Sequence, residues 1–304
     1  MQPKEASLPS VVLTSKIPIP ASLRLMRPAN VVTACADILT GYAASGAANP
    51  THLIELLAAT IGLYGGGIVL NDVFDAPLDR IERPERPIPS GAIALRSAAL
   101  FGIALLVCGI AAAFLCSPLS GIIACATAAA AVLYDAVGKR QHFLGPVNMG
   151  LCRGLNLLLG LTAAGELLAS PALLAVVTLC YIAGVTALSR GEVRGGTRTA
   201  ARISVAWLVL GSLVLAVMGI QNGRASLFAV PLLAVLLVRL APPFWKAVHT
   251  LDPQRIRLAV KTGVLSLILL DAALAALFQR PWYGLYVLAL YVPAMLLAKL
   301  FAVT

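Results

Sequence analysis

Long apolar stretches, separated by short polar ones, run through nearly the whole chain. A helix needs about 20 mostly apolar residues to cross roughly 30 Å of bilayer hydrocarbon, and ten stretches have about that length. The runs are unbroken over segments such as 97–116 and 260–278, whereas strands of a membrane barrel alternate apolar and polar residues, so the pattern predicts helices. The ten predicted segments are 29–48, 52–71, 94–115, 118–136, 145–165, 171–190, 201–220, 225–242, 256–278 and 282–302.

The composition agrees with a chain that lies in a membrane. Of the 304 residues, 60% are apolar and 12% are charged, whereas a soluble domain is about 45–50% apolar and about 25% charged. These values exclude a soluble enzyme, a disordered chain and a coiled coil. The predicted fold class is all-α: a polytopic membrane helical bundle, with residues 21–304 as one transmembrane domain after a cytoplasmic tail at 1–20.

The basic residues indicate how the bundle is oriented, because cytoplasmic loops of membrane proteins collect Lys and Arg. Twenty of the 23 basic residues lie near the termini or in and beside the loops after even-numbered segments, while the loops after odd-numbered segments hold only Arg224 and Arg280. We expect a multi-pass protein of the plasma (inner) membrane with both termini in the cytoplasm. The net charge of +10 then reflects topology and contact with anionic lipid, and no nucleic-acid partner is expected.

The six cysteines form no CxxC pair and no Cys/His cluster along the sequence. Most of them lie within predicted helices, where cysteine acts as a small packing residue. We expect neither a disulfide framework nor a zinc site.

Five of the 13 acidic residues lie close together at the end of the second predicted segment. Asn71, Asp75 and Asp79 are four residues apart, so on a helix they drift by only about 40° per step and share a face. Oxygen ligands in that arrangement suit Mg²⁺, which takes its remaining ligands from water and substrate phosphates. The metal candidates are Asn71, Asp72, Asp75 and Asp79, and Pro77 is expected to distort or end the helix. The alternative is a solvated loop whose acids pair with neighbouring arginines.

Two further polar groups lie in or beside apolar segments. Lys139 and Arg140 follow the fourth segment, on the same side of the membrane as the acidic residues, and are candidates for binding a diphosphate; plain topogenic charge is the alternative. Arg153 and Asn156 lie inside the fifth segment, with Arg153 about one turn from Asn148. An arginine within a membrane is costly and so indicates a functional site, unless its side chain snorkels to the interface.

The turn after the sixth segment, residues 189–198, has one acid, Glu192, among arginines that include Arg190 and Arg194. This set is more typical of an anion-binding element than of a cation site. A basic cytoplasmic loop without a ligand is the alternative.

The segment Asn71–Asp79 resembles the first Asp-rich motif, NDxxDxxxD, of the UbiA superfamily of intramembrane prenyltransferases. The Arg-Pro-x-Pro-x-Gly stretch at 86–91, the Arg-Pro pair at 27–28 and the segment Tyr134–Lys139 are similar to other motifs of that family, and the resemblance covers roughly residues 20–280. It implies a UbiA-like core of nine transmembrane helices around a central cavity, so that segment 282–302 is a tenth, C-terminal helix.

The resemblance also implies the site residues. Asn71, Asp75 and Asp79 would hold Mg²⁺ on the diphosphate of a polyprenyl donor. The implied catalytic residues are Asp75, Asp79, Lys139 and Glu192. The implied diphosphate ligands are Arg27, Lys139, Arg140, Arg153, Arg190 and Arg194. Asn148 and Asn156 are further polar candidates for the cavity.

One departure from the family concerns its second Asp-rich motif, at the end of the sixth helix. Here only Glu192 can replace a carboxylate, and Arg190 and Arg194 disfavour a second Mg²⁺. One Mg²⁺ site is therefore expected, with the second in doubt. This Ser-Arg-Gly-Glu variant resembles the EboC-type subgroup of UbiA-like proteins.

The leading functional hypothesis is Mg²⁺-dependent transfer of a prenyl group from a polyprenyl diphosphate to an unknown acceptor, within the lipid membrane. The changed second motif leaves open an alternative: a UbiA-like protein that binds or helps to export a lipid-linked metabolite without transferring it. A third hypothesis, an ion-coupled transporter, rests on the isolated acids Asp37 and Asp271, and it ranks last because no inverted repeat is visible.

Overall fold

The computed structural model describes residues 20–167, 169–193, 195–222, 226–278 and 281–301, so the predicted tail lies almost entirely outside the described residues. Nearly all of these residues are helical and none of them forms a strand, which confirms the all-α prediction. Short 3₁₀ turns occur at Gly138–Arg140 and Thr162–Ala164. The α-helices are α1 (Ala21–Met26), α2 (Pro28–Ser45), α3 (Pro50–Glu82), α4 (Leu95–Cys116), α5 (Pro118–Ala136), α6 (Leu144–Leu161), α7 (Ala169–Ser189), α8 (Arg198–Asn222), α9 (Ser226–Thr250), α10 (Pro253–Phe278), α11 (Pro281–Ala289) and α12 (Tyr291–Leu300).

Each of the ten predicted segments corresponds to a helix or to a pair of helices. Within the described ranges, nine helical spans are long and apolar enough to cross a membrane. The helix α2 is not one of them, because polar residues such as Asn30 and Asp37 lower its hydropathy, but it packs against α3, α6 and α10 inside the bundle. The last predicted segment is divided between α11 and α12, which meet at Leu290.

Two helix ends that the sequence predicts are wrong, both because of prolines. The helix α3 continues past residue 71 to Glu82 with Pro77 inside it, and α9 continues past residue 242 to Thr250 with Pro242 and Pro243 inside it. A proline removes the helical hydrogen bond of its own N–H and leaves the others in place. The last turns of α3 keep their bonds, including the one from the Arg83 N–H to the Asp79 carbonyl oxygen at 2.9 Å.

Glycines allow α3 and α4 to touch backbone to backbone. A Cβ atom on Gly62 would lie 2.6 Å from the Leu105 carbonyl oxygen, and one on Gly109 would lie 2.8 Å from the Ala59 carbonyl oxygen. Small residues at such crossings are typical of helices that pack within a membrane.

The outer face of the bundle is apolar while charged side chains are buried inside it. Leu115, Ile220 and Val238 are 75%, 82% and 76% exposed, whereas Asp37 and Asp271 are fully buried. This is the reverse of a soluble protein, whose charged residues lie at the surface. The helical spans and the apolar outer face together describe an integral, multi-pass membrane protein.

Candidate functional site

A cavity of about 360 Å³ lies between α3, α5, α6, α7 and α10. Its polar side chains occupy two levels along α3, one near the end of that helix, at Asn71 and Asp75, and one near its middle, at Tyr64. Between them the wall is mostly hydrocarbon. The apolar wall includes Leu63, Ile68, Met149, Ile182, Val264 and Leu267.

Asp75, which lines the end of the cavity, forms an ion pair with Lys139, which does not line it. The Lys139 Nζ atom is 2.6 Å from the Asp75 Oδ1 atom. Asp75 is on α3, and Lys139 is on the 3₁₀ turn that follows α5, so the pair links two helix ends. The side chains are 23% and 18% exposed. This partial exposure leaves the pair accessible to a ligand.

Asn71 lies one turn before Asp75 and faces α5. Its Nδ2 atom donates a hydrogen bond of 2.6 Å to the Asp135 Oδ1 atom. The side chains of Asn71, Asp75 and Asp135 all line the cavity. Oxygen atoms from two helices therefore converge at this end.

Asp72 and Asp79 belong to a separate network that is held by two arginines. The Arg27 Nη2 atom lies 2.6 Å from the Asp72 Oδ1 atom, and the Arg86 Nη1 atom lies 2.7 Å from the Asp79 Oδ2 atom and 3.4 Å from the Asp72 Oδ1 atom. Both carboxylates are buried. Asn71 and Asp75 line the cavity but Asp79 does not, although all three were predicted to share one face of the helix. The reason is that two steps of about 40° turn Asp79 by roughly 80° from Asn71. Asp79 does pair with a neighbouring arginine, as in the alternative hypothesis, but it is buried within α3 rather than in a solvated loop.

Glu192 lines the cavity from the turn after α7 and is only 6% exposed. Its Oε2 atom lies 3.9 Å from the Arg83 Nη2 atom, and the Arg257 Nη2 atom donates to its backbone carbonyl oxygen at 3.2 Å. Burial raises the pKa of the Glu192 carboxyl, and the charges of Arg83 and Arg257 oppose this shift. Two arginines thus surround the only acid of this turn in the described residues.

Of the other predicted diphosphate ligands, Arg190 is exposed and does not line the cavity, and its Nη1 atom donates to the Gln141 carbonyl oxygen at 2.7 Å. Arg194 and the side chain of Arg140 lie outside the described residues. Arg27 lines the cavity while it holds Asp72.

Arg153 lies at the second polar level, near the middle of α3. Its guanidinium carbon is 4.9 Å from the centre of the Tyr64 ring, and its Nε atom is 3.2 Å from the Asp37 Oδ2 atom. Its Nη2 atom donates to Thr33 Oγ1 at 3.1 Å. Tyr64 precedes Asn71 by seven residues, which places this level about 10 Å along α3 from the oxygen atoms at the cavity end.

Asn156 satisfies its amide within this deeper cluster. Its Nδ2 atom donates to Asp37 Oδ2 and to the Ala34 carbonyl oxygen, both at 2.9 Å, and its Oδ1 atom accepts from Thr60 at 2.7 Å. Asn148 does not line the cavity; its amide bonds to the α5 backbone at Ala130 and Tyr134, at 3.1 Å in each case.

The donor atoms at the cavity end fit a hard divalent cation. Asn71, Asp75 and Asp135 offer oxygen atoms, and Asp75 uses only Oδ1 to bind Lys139. Such ligands suit Mg²⁺. In the described part of the chain, no three carboxylates of this end come within 4.8 Å of one another. The side chains alone would therefore leave coordination positions for water and for phosphate oxygen atoms.

Sequence reasoning missed Asp135, Arg83 and Arg86 as members of the site. Asp135 carried one signal, since it is an acid at the end of an apolar helix and only four residues before Lys139. Arg86 carried a signal too, as the first residue of the Arg-Pro-x-Pro-x-Gly stretch, whereas nothing in the spacing of Arg83 distinguishes it from topogenic charge. Only the fold shows that they turn back onto the cavity.

Comparison with known sequences gives relatives for most of the chain. The sequence model of the UbiA prenyltransferase family matches residues 31–259. A digeranylgeranylglyceryl phosphate synthase of Methanoculleus marisnigri is 38% identical over 189 residues, which cover 60% of this chain and 67% of that protein. A protein of the same name from Methanococcoides burtonii is 36% identical over 148 residues, 45% of this chain and 53% of its own length. The chain therefore spans between about half and two thirds of the length of these relatives.

Solved structures share the fold at low sequence identity. A UbiA homologue from Aeropyrum pernix K1 has a TM-score of 0.67 and 19% identity over 80% of this chain and 96% of its own. A UbiA homologue from Archaeoglobus fulgidus bound to DMAPP and Mg²⁺ has a TM-score of 0.52 and 16% identity over 88% of this chain and 99% of its own. The shared fold agrees with the sequence match over residues 31–259, and that match shows that the chain belongs to the UbiA prenyltransferase family.

Proposed function

We propose that the protein transfers a prenyl group from a prenyl diphosphate to an acceptor inside the cavity. The observation that carries the proposal is the division of the cavity, whose charged end at Asp75, Arg83 and Arg86 continues into a mostly apolar wall. Lys139 does not line the cavity but reaches this end through its bond to Asp75. A prenyl diphosphate has the same division, because an anionic head group is joined to a hydrocarbon tail. Family membership supports the same chemistry.

The basic residues at the charged end would bind the diphosphate. Lys139 is partly exposed, so it can leave Asp75 for a phosphate oxygen atom and neutralise it as a point charge. Arg83 and Arg86 line the same end. Fixed positive groups at that place stabilise the negative charge that develops on the leaving diphosphate.

Mg²⁺ is the cofactor that we propose for this end, held by Asn71 and Asp75 with Asp135 opposite them. When bound, it would neutralise the diphosphate oxygen atoms and so assist departure of the leaving group. We propose one such site. Near Glu192, where relatives of this fold are expected to place acidic residues, Arg83 and Arg257 already supply positive charge.

In the chemical step, the bond between the allylic carbon and the diphosphate oxygen breaks, and its electron pair leaves with the diphosphate. The nucleophilic atom of the acceptor, an aromatic carbon or a polar head-group atom, forms the new bond and gives up a proton. The apolar wall excludes water, which would otherwise capture the allylic carbon. The packed helices also orient the tail toward the acceptor.

The test is diphosphate release by the purified protein in detergent with Mg²⁺, using DMAPP, GPP and longer prenyl diphosphates as donors. DMAPP and GPP are the ligands of the Archaeoglobus fulgidus homologue. Asp75→Asn is expected to lower the rate by about 100-fold or more, while Glu166→Gln, at an exposed position after α6, keeps it. An unchanged rate in Asp75→Asn contradicts the proposed site.

Product analysis separates transfer from binding alone. With membrane extract as the source of acceptors, mass spectrometry of a prenylated product supports the transferase. Saturable, Mg²⁺-dependent binding of the donor with no product would instead favour a protein that carries a lipid-linked metabolite.

We also propose that the charged end of the cavity faces the cytoplasm of a cell whose plasma membrane holds the protein. The distribution of Lys and Arg along the sequence supports this orientation. In a cysteine-free variant, a cysteine at exposed Arg80 should react with a membrane-impermeant maleimide only in inside-out vesicles, and one at exposed Glu166 only in right-side-out vesicles. The reverse pattern would overturn the orientation.

A further inference from the structure

Three metal-ligating side chains meet at the opposite end of α3 from the cavity's charged end. His52 and Glu55 lie on the first turns of α3, three residues apart, and Cys116 is the last residue of α4. One ligand atom from each of these three side chains lies within 4.8 Å of the others. Glu55 precedes Asp75 by 20 residues, or about 30 Å of helix, so this group is separate from the proposed Mg²⁺ site.

The hydrogen bond of His52 fixes the tautomer of its imidazole in the form that can bind a metal through Nε2. Its Nδ1 atom lies 3.1 Å from the Ala163 carbonyl oxygen, which can only accept, so Nδ1 carries the proton. In a neutral ring this leaves the lone pair on Nε2. A metal-binding histidine commonly donates its other N–H to a carbonyl oxygen, which fixes the tautomer and the ring orientation.

Glu55 and Cys116 supply two further ligands, of which the Glu55 Oε2 atom has no hydrogen-bond partner among the described residues and the Cys116 thiol bonds only weakly to Ser120. The Glu55 Oε2 atom is buried, and no described residue donates a hydrogen bond to it. A buried carboxylate oxygen without a donor is unfavourable, and a cation would satisfy it. Cys116 is a free thiol on the helix end that faces Glu55.

We propose that His52, Glu55 and Cys116 bind one divalent transition-metal ion of the Zn²⁺ class. A nitrogen, a carboxylate oxygen and a thiolate sulfur match the ligands that Zn²⁺ takes, whereas Mg²⁺ prefers oxygen alone. Three protein ligands leave a fourth position open to water. The ion would join the start of α3 to the end of α4, with the backbone at Ala163 as a third attachment.

The sequence could not indicate this site, because Cys116 is far from His52 and Glu55 along the chain and no CxxC or HxxxH spacing is present. The expectation that the cysteines only pack was drawn from their spacing and from their positions within predicted helices. The packing of α4 along α3, in the opposite direction, brings Cys116 back to the start of α3.

The test is Co²⁺ titration of the full-length protein, purified without a histidine tag and stripped with chelator. We expect one equivalent of Co²⁺ with a sulfur-to-cobalt charge-transfer band and visible d–d bands of four-coordinate geometry, displaced by Zn²⁺. Cys116→Ser should lose the charge-transfer band, while the matched control Cys108→Ser, on the same helix, keeps it. Zn²⁺ should raise the thermal midpoint of the control and not of Cys116→Ser.

A second variant keeps the thiolate and so guards against a folding defect in Cys116→Ser. Glu55→Gln should retain the charge-transfer band but bind Co²⁺ at least about tenfold more weakly, whereas Asp75→Asn should bind it like the wild type. Absence of the charge-transfer band in the wild type, or equal affinity in Cys116→Ser and Cys108→Ser, would overturn the proposal. None of these measurements depends on prenyl transfer.

Discussion

Two ion pairs each place one residue, Asp75 or Arg153, in the cavity wall, and the pairs differ in how much solvent reaches them. Lys139 and Asp75, at the end of α3, are 18% and 23% exposed, whereas Arg153 and Asp37, near its middle, are 2% and 0% exposed. A partly exposed pair can exchange one partner for a ligand at little cost. A fully buried pair cannot, because the partner left behind would be an uncompensated charge in a low-dielectric interior. This difference supports the proposed binding of a ligand at the first pair, whereas the second pair joins α2 to α6 inside the bundle.

The deep pair also changes the interpretation of an arginine within a membrane helix. From sequence, Arg153 is a candidate for a diphosphate because its burial is costly. In the structure Asp37, Thr33 and the Tyr64 ring compensate that cost. The isolated acids that suggested an ion-coupled transporter, Asp37 and Asp271, are buried in the same part of the bundle.

The largest expected effect is on stability, at the deep pair. Arg153→Met leaves Asp37 buried without its cation and should destabilise the protein by about 3–5 kcal/mol, measured by SDS titration in detergent micelles. Arg96→Met, at an exposed position on α4, should change the stability little. Asp37→Leu combined with Arg153→Met should recover part of the loss, because the unpaired charge is then absent. If Arg153→Met alone is as stable as the wild type, the deep pair does not have the structural role assigned to it.

The next effect is on catalysis, at the exposed pair. Lys139→Gln should slow diphosphate release by about 100-fold and change stability by less than about 1 kcal/mol. Lys246→Gln, an exposed lysine on α9, serves as the control. If Lys139→Gln destabilises the protein as strongly as Arg153→Met, the two pairs do not have different roles.

The network of Arg27 and Arg86 with Asp72 and Asp79 should give an intermediate loss of stability. Arg86→Gln removes a hydrogen bond of 2.7 Å from the buried Asp79 carboxylate and should cost about 1.5–2 kcal/mol. Arg80→Gln, an exposed neighbour on α3, should cost almost nothing. SDS titration compares the two variants, and equal stabilities would show that Arg86 is only topogenic charge.

The smallest effect is a pH dependence at Glu192. Burial raises the pKa of this carboxyl, so its contribution to stability is fully present below the ordinary glutamate pKa and is lost as pH rises through the raised value. Relative to Glu192→Gln, the wild type should therefore lose stability between those two pH values. Glu166→Gln, at an exposed position and with the same charge change, should show no such difference in SDS titrations across pH. If the stability difference between the wild type and Glu192→Gln does not change with pH, the role of burial is contradicted.

The fold was largely predictable because helices in lipid must satisfy their own backbone groups, which ties each span to a countable apolar run. The sequence did not predict that α3 and α9 continue through Pro77 and Pro242. A proline breaks one helical hydrogen bond, and tertiary contacts decide whether the helix continues. That Asn71 and Asp75 lie on one face of α3 was predictable from their spacing, and both line the cavity. Asp79 was placed with them by the same rule and instead pairs with Arg86.

By itself the sequence determined a helical membrane protein, the position of its acidic segment and the family motif that begins at Asn71. Those features depend on local properties, namely apolar length, helical period and residue type. Only the tertiary structure decided which charge meets which: Asp75 with Lys139, Asp37 with Arg153, Asn71 with Asp135, and Glu192 near Arg83. These partners are far apart along the chain, and their pairing follows from how the helices pack, which no spacing along the sequence records.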